Sequence, residues 1–316
     1  LPEEGGREAG VSLAPVGFIE LPGGRRTGFD HADTYLDRTG SRLYVAHTVT
    51  NAIDVIDCRT NAYLRSLPGL PGVAGVLIDS ERDLLFSSDR AAARVSVFRC
   101  SDETLLAQVA VGPRPNGLAF DTLRRHLYSF NLGEPPGTDC TASVISVDER
   151  RVIQTVVLPG RPRWAVFDRS SDCVYVNVQD PAVIMAIGAG GPIDAGRIEV
   201  GAAGPHGLAL AGGRLFCAAD GGELVVVGWF RSGPHIEKRL PLRGAPDVVM
   251  YDKRRQRLYV AIGSPGVVTV FDTSKLEEIE TVETEEGAHT IGWDPATAQL
   301  YAFAPERGGA LIFKDR

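Results

Sequence analysis

One short motif recurs through this chain at a nearly constant interval, and that interval admits few folds. Its clearest copy is Gly204-Pro205-His206-Gly207-Leu208-Ala209-Leu210. Related copies read Pro115-Asn116-Gly117-Leu118-Ala119-Phe120-Asp121, Pro162-Arg163-Trp164-Ala165-Val166-Phe167-Asp168 and Pro246-Asp247-Val248-Val249-Met250-Tyr251-Asp252. More divergent copies begin at His31, Ala74 and Ala288. Their anchor positions, 37, 79, 121, 168, 211, 252 and 294, stand 41 to 47 residues apart. A period of roughly 40–45 residues with four short strands per unit is the mark of propeller blades.

The order within a unit is constant. About six residues after the anchor comes a second apolar run, such as Leu43-Tyr44-Val45-Ala46 or Leu258-Tyr259-Val260-Ala261. A third follows, such as Val144-Ile145-Ser146-Val147-Asp148 or Val267-Val268-Thr269-Val270-Phe271-Asp272. A fourth, more polar run ends at a Gly/Pro turn, as in Thr155-Val156-Val157-Leu158-Pro159-Gly160. Short β-branched segments between turn residues are strands, and no long stretch carries helical periodicity. The expected fold is all-β: a seven-bladed β-propeller of four-stranded antiparallel blades.

The two ends of the chain complement each other. Residues 1–10 are rich in Gly and Glu and are expected to be a flexible N-terminus, with residues 11–316 forming a single propeller domain. Residues 14–21 read as a fourth strand with no first three before it, while the last unit stops after three strands at Leu311-Ile312-Phe313-Lys314. The N-terminal strand is therefore predicted to complete blade seven and close the ring, covering edge groups that would otherwise face water.

Charge and composition narrow the partners. The 316 residues carry a net charge of -7, which argues against a cationic groove for nucleic acid, although Arg161 and Arg163 make a local basic patch. No run of about 18 apolar residues would span a membrane. Five cysteines, an odd number, favour a reducing and so cytoplasmic compartment; the chain begins at Leu1, which leaves export open. Cys173 and Cys217 read as small buried thiols, and Cys58 and Cys100 occupy matching places in adjacent units.

Propeller geometry then gathers residues from distant parts of the chain. First strands line the central channel, and their openings meet the ends of second strands at one rim. The openings supply His31, Ala74, Asn116, Arg163, His206, Asp247 and His289; the second-strand ends supply His47, Asp89 and Asn131 among others. Four of the six histidines fall on this rim. His31-Ala32-Asp33 also sets two polar side chains on one side of an extended strand. The longest unit, the third, has its surplus in the loop Leu132–Cys140, which is placed over the same face. Insertions of that kind often carry function.

Several imidazoles converging with a carboxylate suit one divalent metal ion, with His31, His47, His206, His289 and Asp247 as ligands. A metal with an open position would activate water or polarise a carbonyl. Alternatively His31, His206 and His289 act directly as general acid and base. Arg163 is placed to clamp a substrate carboxylate, with Asn116, Asn131 and Asp89 lining the substrate. The anchor Asp residues read as turn formers at the opposite face. Trp164, standing where Gly is usual, is placed to wall the channel. His126 and His235 read as solvated turn residues.

The Leu-Tyr-Val-Ala units with a following Val-x-Val-x-Asp resemble the YVTN-type β-propeller repeat over residues 14–316. That resemblance implies the fold and leaves function open, since such repeats occur in enzymes and in binding scaffolds. Propeller lactonases and a propeller lyase are similar at the level of fold. The chain has no G-x-S-x-G, Walker or dinucleotide-binding motif. The reading that results is a hydrolase or lyase acting on a small molecule at the channel mouth. The alternative is a non-catalytic propeller holding a peptide or glycan there.

Overall fold

The computed structural model describes residues 13–189, 196–230 and 233–316; the expectation of a flexible segment at 1–10 falls outside them. The described strands form seven four-stranded sheets. Blade one is Phe29–Leu36, Ser41–His47, Ala52–Asp57 and Ala62–Pro68. The pattern repeats in order, and blade seven consists of Thr290–Asp294, Gln299–Ala304, Gly309–Asp315 and the N-terminal strand Leu13–Glu20. First strands of consecutive blades pack against one another around the full circle, and blade seven meets blade one. The fold is a seven-bladed β-propeller.

Blade seven closes as the sequence predicts. Leu13–Glu20 pairs antiparallel with Gly309–Asp315, from Leu13 opposite Asp315 to Glu20 opposite Gly309, with one bulge between Pro15 and Gly17. Just past the strand, Leu21 N donates to Gly308 O at 3.0 Å. The last strand of the chain thus has a partner on both sides, and its backbone groups are spent inside the sheet.

Second and third strands are sandwiched between neighbouring blades, so both of their faces are apolar. Leu43, Tyr44, Val45 and Ala46 are all fully buried. Between blades three and four, Phe130, Val144, Val174, Val176 and Met185 pack into one cluster, and equivalent clusters fill the other interfaces. Each such side chain contributes about 1.5–3 kcal/mol by burial. Fourth strands lie on the outer rim, and Arg151–Val157 is largely exposed. The five cysteines are all free thiols, and Cys58 and Cys100 are each buried in their own blade.

At the lower face the anchor carboxylates hold the first hairpins. Asp121 accepts the N–H of Leu123 at 2.8 Å, and Asp168 that of Ser170 at 2.9 Å. Near the channel axis blades approach so closely that glycine is required. A Cβ on Gly117 would lie 2.6 Å from Arg163 O, and one on Gly207 would lie 2.5 Å from Asp247 O.

Candidate functional site at the mouth of the channel

The hydrogen-bond register decides which residue opens each first strand. Pro115 lies opposite Asn131, Pro162 opposite Val178, and Phe29 opposite His47. Asn116, Arg163 and Asp30 are therefore equivalent. His31 stands one place further on, in the position that Gly117 fills in blade three. Trp164 takes that same glycine position in blade four. Blades one and four face each other across a seven-membered ring, so the two large side chains meet over the channel. Their ring centroids are 4.2 Å apart with 34° between the planes.

This pair divides the channel. Above it lies a cavity of about 130 Å³, whose walls include Asp30, His31, Arg90, Arg114, Asn116, Arg161, Arg163, His206, Asp247 and His289. Leu132 and Pro136, from the long loop of blade three, complete the rim. Below the pair lies a cavity of about 720 Å³, largely apolar, walled by Val76, Leu118, Phe120, Leu208 and Met250, with Asp33 among them. His31 and Trp164 belong to both walls.

The mouth brings His31, His206, His289, Asp247, Arg163 and Asn116 together from six blades. Their electrostatic settings differ. His206 lies between two carboxylates: Nδ1 is 2.8 Å from Asp220 Oδ1, and Nε2 is 3.1 Å from Asp247 Oδ1. Both nitrogens must carry protons to make those contacts, so the ring is an imidazolium. Burial opposes that charge, but Asp247 and Asp220 outweigh it and raise the His206 pKa to about 9. Burial likewise opposes the charge on Asp247, yet His206, followed by His289 and His31, holds the carboxyl well below the usual range.

His31 is the opposite case. It is 5% exposed and packed against an indole, and burial pushes its pKa down despite the nearby Asp30 carboxylate. Its neutral form dominates. His289 Nδ1 lies 2.8 Å from Gly287 O. A carbonyl only accepts, so Nδ1 carries the proton, and in the neutral ring Nε2 is left as a base.

Arg90, from the single-turn helix Arg90–Ala92, ties three blades together. Its Nη2 donates to Asp30 Oδ2 at 3.0 Å and to Asn116 Oδ1. Arg163 Nε donates to Gln179 Oε1 at 3.2 Å, and Gln179 Nε2 donates to Asp220 Oδ2, also at 3.2 Å. A polar chain thus runs Arg163–Gln179–Asp220–His206–Asp247 across blades four to six. Burial, and then the adjacent Arg161, lower the pKa of Arg163.

The residues expected from second-strand ends lie elsewhere, which corrects that part of the sequence reading. His47 is fully buried outside the mouth, packed on Phe29 at 4.6 Å between centroids. Its Nδ1 lies 2.7 Å from Asp54 Oδ2, and its Nε2 bonds Thr27 Oγ1. Asp89 is fully buried among Ser87, Arg94 and Ser96. Asn131 is spent on Thr141 and Ser143. The physical reason is that second strands lie outside first strands within each blade. Their side chains face the third strand and the next blade rather than the channel. His47, Asp89 and Asn131 are therefore structural.

Of the five proposed metal ligands, His31, His206, His289 and Asp247 line the mouth cavity and His47 does not. His47 is outside the cavity, and both nitrogens of His206 already face carboxylates. Among the described residues no group of three or more His, Cys, Asp or Glu side chains is spaced to hold a metal ion. His31 and Asp33 both reach the wall of the lower cavity, where Asp33 accepts the N–H of Ile78 and of Thr34, each at 2.8 Å.

Asp30, Arg90 and Arg114 were not singled out by sequence reasoning. For Arg114 a signal existed: Arg114-Pro115 and Arg161-Pro162 repeat one dipeptide at the same point of two adjacent blades. Asp30 and Arg90 depend on register and on a single helical turn, which carry no such pattern.

No family model matches the chain, and no curated protein matches it. Among solved structures, Kuenenia stuttgartiensis Hydrazine Synthase is similar, with a TM-score of 0.76 over 98% of this chain and 99% of that one, at 14% sequence identity. At that identity the likeness is one of architecture, and it agrees with the seven-bladed propeller described above.

Proposed function

We propose that this propeller, which resembles the YVTN-repeat group in sequence, is a small-molecule enzyme of the lyase or hydrolase class working at the channel mouth. The observation that carries the reading is the convergence of His31, His206 and His289 on one small cavity, where the pKa of His31 is pushed down and that of His206 up. Neighbouring titratable groups driven apart in proton affinity are what acid–base chemistry at neutral pH requires.

The roles follow from the free atoms. His289 Nε2 is the base. His31, neutral and buried, is the second proton-transfer group. His206 is locked by two carboxylates, so it positions Asp247 and supplies fixed positive charge. Arg163 holds substrate. Among the described residues no Ser, Cys or Thr lines the mouth cavity, which favours proton abstraction over attack by a side-chain nucleophile. In an elimination, His289 removes a proton next to a carbonyl, the C–H electrons form the new double bond, and the leaving group departs with its own bonding pair. Guanidinium groups stabilise the negative charge that develops on the carbonyl oxygen.

The test is a proton NMR assay of the purified protein against a panel of lactones and β-substituted carboxylates, with His289→Gln alongside. Turnover that falls at least a hundredfold in the variant supports the enzyme. Binding of panel members without turnover in either protein supports the non-catalytic reading and sinks this one.

A further inference from the structure

Two half-buried guanidinium groups at the mouth lack the carboxylate partners that half-buried arginines have elsewhere among the described residues. Arg94, Arg124 and Arg214 each meet a carboxylate within 3 Å. Arg114 and Arg161 make no ion pair and no side-chain hydrogen bond among the described residues, and the Nε of each is buried without a partner. Arg163 beside them reaches only the neutral Gln179. Three guanidinium groups thus line a cavity of about 130 Å³ that also holds Asp30 and Asp247, and among the described residues none of the three makes an ion pair. This happens in a chain whose net charge is -7.

The backbone at Arg114 points the same way. In blades one to five the residue before the first strand offers its carbonyl to the residue that follows the second strand. Leu132 N donates to Arg114 O, Arg90 N to Gly72 O, and Asp220 N to Gly204 O. At this place blades two and five use glycine with positive φ, 63° at Gly72 and 64° at Gly204. Arg114 adopts φ 55° with a full side chain. A left-handed conformation suits glycine and strains arginine.

We propose that Arg114, Arg161 and Arg163 form a seat for an oxyanion group, a carboxylate or a phosphoryl, so that the mouth takes a small anionic molecule. This rests on the mouth being the working site. Guanidinium groups bind both anions through paired N–H donors. The cavity is well below the roughly 300–1,000 Å³ of a drug-sized site, so the ligand is compact. Arg90 is already committed to Asp30 and Asn116 and serves as wall rather than seat.

The experiment is isothermal titration of the full chain with succinate and with inorganic phosphate, at ionic strength matched with sodium chloride. Wild type, Arg114→Gly and Arg161→Gln are compared. Saturable binding of one anion, weakened at least tenfold in both variants, supports the seat, and the anion that binds names the group. Arg114→Gly is also expected to raise the melting temperature of the free protein by about 2 °C, as strain is relieved. Binding of neither anion above the chloride control overturns the proposal, as does binding that both variants keep. The enzyme reading fails separately: His289-dependent turnover of a neutral substrate without anion binding would remove the seat alone, whereas anion binding without turnover would remove the enzyme alone.

Discussion

The imidazole of His31 and the indole of Trp164 meet across the channel with centroids 4.2 Å apart. They arise from blades that lie opposite in the ring, at a position where three other blades carry glycine: Gly75, Gly117 and Gly207. The contact makes the floor of the mouth and the ceiling of the lower cavity at once. His31 is buried at this contact, and burial pushes its pKa down.

Trp164→Gly should therefore join the two cavities. Water reaching the ring relieves the burial that lowers the His31 pKa, and the value should climb towards 6.5. Histidine titration by two-dimensional NMR reads it directly. An unchanged His31 titration would mean that the indole does not shield the ring.

His206 makes stability depend on pH. Its pKa rises from 6.5 to about 9 on folding, so the folded form holds a proton that the unfolded chain has lost. The stabilisation is complete below about 6.5 and disappears as pH rises through about 9, amounting to at most about 3 kcal/mol. Thermal melts from pH 6 to 10 should show that loss in wild type and a flatter curve in His206→Gln. Parallel curves would refute the imidazolium assignment.

His47 acts on stability and leaves the mouth alone. His47→Ala leaves Asp54 buried beside only Ser66, which should cost about 3 kcal/mol in urea unfolding. Ligand affinity at the mouth should stay within twofold. A variant that folds as well as wild type but loses ligand would return His47 to the site.

Ring closure depends on the N-terminal strand. Deleting residues 13–20 strips the pairing from Gly309–Asp315 and removes Leu13 and Ile19 from the cores they help to fill. A chain lacking them should lose cooperative unfolding in calorimetry. An unaltered transition would show that blade seven stands on three strands.

Much of this was legible in the residues. A period of 41 to 47 residues and short apolar runs between turns dictate seven like blades, because each run is buried on two faces only when blades stack. The unpaired strand at each end of the chain dictates closure. Trp164, standing where Gly is usual in the repeat, marked a side chain in the channel. His206, His289, Arg163 and Asp247 could be placed because first-strand openings always face the axis.

What the sequence could not supply was direction and charge. It counted His31 as an opening residue, whereas the pairing of Phe29 with His47 moves it into the glycine position, where it meets an indole three blades away. It grouped His47, Asp89 and Asn131 with the rim because their backbones end there, but side-chain direction in a strand is set by which sheet faces are already covered. The proton on His206, the neutrality of His31 and the bare guanidinium groups of Arg114 and Arg161 each depend on neighbours from other blades. Periodicity is local and is written along the chain. Desolvation and Coulomb energy depend on distances through space, and only the closed ring sets those.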